Sequence, residues 1–482
     1  MITRTRAAIG ALLAMSLLAA ACSSTPSTPK AVSPSPSSFP ACPVGALSHA
    51  TGATTVTLWY GGLSGETVTT LQRMVAAYNA SQTKVVVKAD DEGTSYQEVL
   101  QKYVSAIPSH ELPDIIYGGP VATLVDSGTL IPAQKCMSAA GFPLSSFQPA
   151  VRSFYTVDGE FWPGFTAVSE PLLYYNKALF VKAGLNPDNP PGTLVELKAD
   201  ALKLKAAGVA HPLAMVVGTG LGQWLNGIGQ PVTNNDNGRS GRATKVFFDT
   251  PQARQLLTYF QQMNTEGLLA PFSNTPGQID QYLALLNKSS AMLFSTSAAA
   301  TSIAAFLKGT LTSSSLGSGG SSSSASASNL IAAAGPMPGI RQPGKVEVGG
   351  AAFYLVHSGN AAREAAGWDF LRFMLSEPEV VAWHLGSSFL PVVGNAAQSP
   401  QIQAFWKNTG AGQMSAVAYH ELSDINPADP GPLIGPFNRY TAAENQMWEA
   451  VIFSGEPVAT ALATAQSKID QALTEYNQAN GG

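Results

Sequence analysis

Between Thr55 and Tyr117 the chain alternates between short β-rich runs and amphipathic helical patterns, and this order restricts the fold more than any other feature. Thr55–Tyr60, Lys84–Ala89 and Asp114–Tyr117 are the β-rich runs. Glu66–Asn79 sets Val68, Leu71, Val75 and Tyr78 at helical spacing, which gives one apolar face. Ser95 and Glu98 form a capping box that opens a second helix, with Leu100, Val104 and Ile107 turned inward. A β-α-β-α-β beginning predicts an α/β fold with a parallel, doubly wound sheet.

The same style continues without repeating the sequence. Helices are expected at Val195–Ala207, Thr250–Glu266, Gln278–Asn287, Asn360–Leu375, Arg439–Ile452 and Val458–Asn477. Strands are expected at Leu213–Val217, Val246–Phe248, Ala291–Phe294, Leu330–Ala333 and Ala352–Val356. Thr312–Ser328 is almost all Ser, Gly and Ala and reads as a low-complexity surface loop, with a domain junction as the alternative.

Charge narrows the function. Of 482 residues only 27 are Lys or Arg and 31 are Asp or Glu, 12% in all, where about 25% is usual. A chain without basic blocks lacks the cationic surface that nucleic acid requires. A hydrophobic share of 45% argues against disorder, and three cysteines cannot staple a disulfide scaffold.

The N-terminus points to export. Arg4 and Arg6 precede an apolar run from Ala7 to Ala21, too short to span a bilayer, so residues 1–21 read as a signal peptide. Ala19-Ala20-Ala21-Cys22 resembles a bacterial lipobox, in which Cys22 is acylated; ordinary cleavage after small residues is the alternative. Residues 22–50 then form a tether, since Ser23–Pro40 is nearly all Ser, Thr and Pro and cannot bury a core. Outside the cytoplasm Cys42 and Cys136 are expected to form a disulfide, two free thiols being the alternative.

Catalytic and metal motifs are missing. There is no G-x-S-x-G elbow, P-loop or H-E-x-x-H, and the six histidines show no metal-ligand spacing. A distant carboxylate pair for glycoside hydrolysis stays open. Aromatic residues instead gather at turns: Trp59-Tyr60-Gly61-Gly62, Tyr117-Gly118-Gly119-Pro120, Phe161-Trp162-Pro163-Gly164, Gln223-Trp224 and Trp383. Flat rings near hydroxyls and backbone amides suit sugar faces or a quaternary ammonium, although core packing is an equally good reading of any one ring.

Pro171-Leu172-Leu173-Tyr174-Tyr175-Asn176-Lys177, with Phe180, Ala183-Gly184-Leu185 and Pro190-Pro191, resembles the P-x-L-Y-Y-N-K-x-x-F-x-x-A-G-L hallmark of family 1 extracellular solute-binding proteins of ABC importers. Leu112-Pro113-Asp114, Ser127-Gly128-Thr129-Leu130-Ile131-Pro132 and Pro378-Glu379 through Trp383-His384 to Phe389-Leu390-Pro391 carry the resemblance across the chain. Within that family it is most similar to carbohydrate and glycerol-3-phosphate or glycerophosphodiester binders. The resemblance implies a two-lobed, type II periplasmic-binding (Venus-flytrap) fold with each lobe a doubly wound sheet and the hinge crossed more than once. Residues 51–132 and 347–376 would form lobe 1, and 133–346 and 377–482 lobe 2, with crossings near Pro132, Gly339–Val346 and Ser376.

It further implies a monomeric, membrane-anchored receptor outside the cytoplasm, with no enzyme activity and no cofactor or metal. Such a receptor passes a sugar, oligosaccharide or glycerophosphodiester to an ABC permease. The ligand residues it implies are Trp59, Tyr96, Ser169, Trp224, Thr296, Ser297, Gly349, Gly350, Phe389 and Arg439, the last as a phosphate ligand; Tyr60 and Tyr117 join them as aromatics at strand ends. Trp224 in particular is expected on the ligand, so that Trp224→Ala spares the fold. The rival functions are a secreted glycoside-active enzyme and a sensor or structural relative.

Overall fold

The computed structural model describes residues 39–63, 65–218, 220–275, 278–307, 332–343 and 346–481. The export signal, Cys22, most of the tether and the 312–328 loop lie outside them. Along the chain run β1 (Thr54–Tyr60), β2 (Val85–Asp91), β3 (Ile115–Gly118) and β4 (Leu130–Ile131). A small hairpin, β5 (Thr156–Val157) and β6 (Glu160–Phe161), precedes β7 (Pro163–Ser169) and β8 (Pro171–Asn176). Then come β9 (Leu213–Val217), β10 (Leu269–Ser273), β11 (Met292–Thr296), β12 (Ala332–Pro336) and β13 (Gly349–Val356).

Two sheets organise these strands, with helices packed on both. The first has the order β2-β1-β3-β13-β4 with β7 also on β13; the second is β10-β9-β11-β8-β12. The expected parallel core is present in each, as β2-β1-β3 and as β10-β9-β11. Around it the sheets are mixed: β13 runs antiparallel to β3, β4 and β7, and β8 runs antiparallel to β11 and β12. The antiparallel strands have a topological cause. β13 enters its sheet from the other lobe, so no crossover helix on its own sheet forces it parallel.

The helices follow their sequence signals. Ser95 accepts the Glu98 N–H at the start of Tyr96–Ala106, Thr193 and Glu196 form a capping box before Leu194–Ala206, and Thr250 with Pro251 starts Pro251–Thr265. Val246–Phe248, expected as a strand, makes only one bridge, Val246 to Thr233. The N–H groups of Val246 and Asp249 go instead to the side chains of Asp470 and Gln466 on the last helix, which replace a ladder.

The chain changes lobe later than expected. It stays with the first sheet past Pro132, through β7, and crosses at Ser169–Glu170–Pro171 into β8. Residues 133–162 are tied to the first lobe: the Ala133 N–H donates to the Trp162 carbonyl, and Cys136 is bonded to Cys42, 4.9 Å between Cα atoms. Phe161 and Trp162 are buried there, Trp162 edge-on to Phe39, so this aromatic turn is core. The return crossing falls between β12 and β13. The third is also later than Ser376, because Glu377–Ser387 packs on Glu66–Ser81, where a Cβ at Gly386 would stand 2.0 Å from the Thr70 hydroxyl. The chain passes to the second lobe between Pro400–Asn408 and Gly410–Ser423, the latter packed against β12.

Candidate functional site

Adjacent crossings bring β7, β8 and β13 together, and the backbone there leaves no room for side chains. Gly349 pairs with Ser169 in register, and a Cβ on it would lie 2.5 Å from the Ser169 carbonyl. Gly350 has φ +100°, and its Cβ would stand 2.2 Å from the Ala167 carbonyl. Only glycine fits such a conformation at such an approach. Beside this pair lies Glu170, fully buried, its backbone held by Ser297: Glu170 N–H to Ser297 Oγ at 3.2 Å and Ser297 N–H to Glu170 O at 2.7 Å. Neither carboxyl oxygen of Glu170 makes a full hydrogen bond among the described residues, although the Gly349 backbone N–H lies close enough to favour its charged form.

The first lobe supplies tyrosines. Tyr96 and Tyr117 hydroxyls lie 3.3 Å apart with ring centres at 5.6 Å, and Tyr117 leans on Phe353 at 4.6 Å. Tyr155 is fully buried with an unpartnered hydroxyl. Burial raises its ionisation range, and the neighbouring Tyr96 and Glu170 add to the effect. Tyr117 is raised well above the usual phenol value by burial first and by Tyr96 next.

The second lobe and the return crossing supply carboxyls. Burial pushes Glu170 well above the ordinary carboxylate range, with Glu421 and Glu347 reinforcing the shift. Glu347 is raised to about 7, chiefly by burial and against the pull of Arg239. Glu444 accepts the Leu221 N–H at 2.8 Å, and burial lifts it to about 8. A Cβ on Gly222 would be 3.4 Å from the Tyr440 hydroxyl and 3.8 Å from Glu347 Oε1, so these groups converge on the start of the Leu221–Gly227 helix. Buried carboxyls and phenols accept and donate hydrogen bonds to hydroxyl groups, and unpaired ones are costly unless something meets them.

Arg239 is a half-buried cation whose charge reaches this cluster at Glu347. Its guanidinium donates to the carbonyls of Gly431, Ser153, Thr156 and Phe154, at 2.8 to 3.3 Å, so its fork is already engaged by backbone. Among the described residues no three His, Cys, Asp or Glu side chains are grouped to hold a metal ion, and no helix is long and apolar enough to cross a membrane.

Of the residues expected at the ligand, Tyr96, Tyr117, Ser169, Ser297, Gly349 and Gly350 come together here. The others have different partners. Trp59 lies under the Lys102 ammonium at 4.5 Å, and Lys102 in turn pairs with Glu92. Tyr60 is buried with its hydroxyl toward Gln72. Thr296 is exposed, and its carbonyl takes the Tyr174 hydroxyl at 2.8 Å.

Trp224 is 5% exposed, packed on Phe260 and Phe294, with its indole N–H on the Pro338 carbonyl at 3.0 Å. It borders a 360 Å³ hollow with Ile228, Met337 and Ile340. Phe389 stacks on Trp383 at 5.6 Å, and its carbonyl accepts from His384 Nδ1. Arg439 is exposed and paired with Glu475 at 2.5 Å.

Sequence reasoning missed Tyr155, Glu170, Glu347, Tyr440 and Glu444. Only Glu170 carried a usable signal, as the acid directly before the Pro171 hallmark segment.

Comparison with known proteins agrees with this architecture. The sequence profile described as "Bacterial extracellular solute-binding protein" matches residues 73–410. The sn-glycerol-3-phosphate-binding periplasmic protein UgpB of Yersinia enterocolitica is 26% identical over 454 residues, covering 90% of this chain and 95% of that protein. UgpB from Mycobacterium tuberculosis, solved with glycerophosphocholine, superposes with TM-score 0.70 at 16% identity, covering 88% of this chain and 99% of that one. The cyclic α-maltosyl-1,6-maltose binding protein of Arthrobacter globiformis gives TM-score 0.66 at 21% identity, covering 88% and 100%. On fold, crossing geometry and profile match, the chain belongs to the bacterial extracellular solute-binding protein family.

Proposed function

We propose that this protein is the extracytoplasmic receptor of an ABC importer, held to the membrane through Cys22, and that it takes a neutral, hydroxyl-rich solute of the saccharide class between its lobes. The observation that carries this reading is the Glu170 carboxyl, fully buried beside the crossing strands with neither oxygen in a full hydrogen bond, within electrostatic reach of the unpartnered Tyr155 hydroxyl. A polyol bridging these groups and Tyr96 supplies the missing hydrogen bonds and contacts both lobes at once, which is what favours a closed form. Saccharide ligands of structural relatives, such as the cyclic maltosyl-maltose of the Arthrobacter globiformis protein, support the class.

A second reading, a glycerophosphodiester with a cationic head, draws on the UgpB relatives and on the acidic, tyrosine-rich wall, which suits a quaternary ammonium. It is the weaker reading, because Arg439 pairs with Glu475 and Arg239 with backbone carbonyls, leaving neither guanidinium turned to a phosphate.

Calorimetric titration of wild type and Glu170→Gln with maltooligosaccharides, glycerophosphocholine and glycerol 3-phosphate tests both. Saccharide binding that Glu170→Gln weakens about tenfold or more is expected, from the loss of one charged or strong hydrogen bond. Binding of glycerol 3-phosphate alone, unaffected by Glu170→Gln, refutes the site as assigned. Palmitate labelling of wild type but not of Cys22→Ala tests the anchor.

A further inference from the structure

Apart from the crossings, the lobes are joined by side-chain bonds along a separate rim. On the first-lobe side these start from the Val121–Asp126 helix and from the end of the Pro149–Phe154 helix. Asp126 Oδ2 accepts from Arg242 Nη1 at 2.8 Å and from the Tyr476 hydroxyl at 2.9 Å, and the Arg242 guanidinium lies 5.9 Å from the centre of the Tyr476 ring. On the same helix the Thr123 hydroxyl donates to the Gly435 carbonyl at 2.6 Å. Ser153 donates to the Pro427 carbonyl at 2.6 Å, close to where Arg239 grips the Ser153, Phe154 and Thr156 carbonyls. Arg242, Tyr476, Gly435 and Pro427 all belong to the second lobe.

None of Asp126, Arg242 and Tyr476 is part of the carboxyl and tyrosine cluster at the crossings. Their bonds join the two lobes away from the crossings, so a form in which the lobes meet is weighted by them whatever solute is present. The apparent affinity of a receptor whose competent form is partly populated scales with that population. Residues far from the solute then tune its capture and release.

We propose that Asp126, Arg242 and Tyr476 form a clasp that sets the fraction of closed receptor, acting as positioning residues that never touch the solute. The Asp126 side chain is 20% exposed and that of Arg242 is 32% exposed, so the pair is shielded enough to matter yet accessible enough to re-solvate on opening.

The test needs no solute. Spin labels at Val86→Cys in the first lobe and Val195→Cys in the second, both exposed positions, report the lobe separation by pulsed electron resonance with the native disulfide intact. A predominant short-distance population is expected in the parent, with a roughly tenfold shift toward longer distances in Arg242→Ala, from the loss of a partly shielded charge-assisted pair. The charge-exchanged pair Asp126→Arg with Arg242→Asp is expected to restore the short population, which a purely structural defect does not predict. If Arg242→Ala fails to fold, Tyr476→Phe is read in the same way, with a shift of about threefold expected for one lost hydrogen bond. A folded Arg242→Ala or Tyr476→Phe with the parent distance distribution overturns the clasp. Because the readout is made without solute, its failure is distinct from failure of the saccharide assignment.

Discussion

Replacing Glu444 by Gln should remove much of an unusual pH dependence of stability. Glu444 is 3% exposed, one carboxyl oxygen takes the Leu221 N–H, and burial raises it to about 8, with the nearby Glu347 at about 7. In the unfolded chain a Glu titrates near 4.3. Between these values the folded protein holds more protons than the unfolded one. The stabilisation is therefore complete below the unfolded value and is lost as pH rises through about 7 to 8. Each pH unit with one extra bound proton is worth about 1.4 kcal/mol, so Glu444 alone accounts for roughly 2 kcal/mol between about pH 6.5 and 8.5.

His384 has the opposite sign. Trp406 donates to its Nε2 at 2.8 Å, and burial lowers it to about 4, so its contribution is present above the free-histidine value and lost toward acid. The window from about pH 6.5 to 8.5 therefore isolates the carboxyls, since a free histidine titrates near 6.5. Urea unfolding across that window should show wild type losing stability with pH and Glu444→Gln losing roughly 2 kcal/mol less. A wild-type curve that is flat or rises, or an equal slope in Glu444→Gln, would refute the reasoning.

Other substitutions test the packing that surrounds the site. Trp224→Ala should cost about 3–5 kcal/mol in urea unfolding, as for other buried Trp deletions, because Phe260 and Phe294 lose their partner; an unchanged midpoint would place Trp224 outside the core. Gly350→Ala forces a Cβ to 2.2 Å from the Ala167 carbonyl, so a loss of about 4 kcal/mol or no soluble protein is expected. Wild-type stability in that variant would mean that β13 and β7 are not locked together. A chain beginning at Ser23 should titrate no free thiol when denatured without reductant. Reduction should cost about 4–5 kcal/mol on the loop-entropy estimate, because Cys42 and Cys136 are 94 residues apart; two titratable thiols would disprove the bridge.

What sequence made legible was local. The β-α-β-α-β opening, the Ser95 and Thr250 caps and the last two helices are set by residues close together in the chain, and they appear in the structure with small shifts. The lobe boundaries were not legible, because β7 reads Pro163-Gly164-Phe165-Thr166-Ala167 and carries turn residues where a buried strand lies. Gly164 is there for packing, since its Cβ would meet Leu371 at 2.5 Å. Family motifs mark packing as well as sites: Trp383 and His384 match the motif, and one stacks on Phe389 while the other accepts from Trp406. Matching types at matching spacing report the scaffold as readily as the ligand.

The carboxyl cluster shows why the site itself was hidden. Glu170, Glu347, Glu421 and Glu444 lie on separate segments, and apart from Glu170, which precedes the Pro171 hallmark segment, each alone reads as an ordinary surface acid. In a chain with only 31 acidic residues, Glu170, Glu421 and Glu444 are each 6% exposed or less, and each has its charge further disfavoured by a neighbouring acid. Packing alone does not call for this, since apolar side chains would fill the same space without the desolvation cost. The Arg239 guanidinium pulls on Glu347 but not on Glu170, Glu421 or Glu444, and its fork is bonded to four carbonyls. A buried, mutually unfavourable set of acceptors is tolerated where something with hydrogen-bond donors meets it, and the scarcity of charge elsewhere makes its concentration beside the crossing strands the strongest mark of function in the molecule.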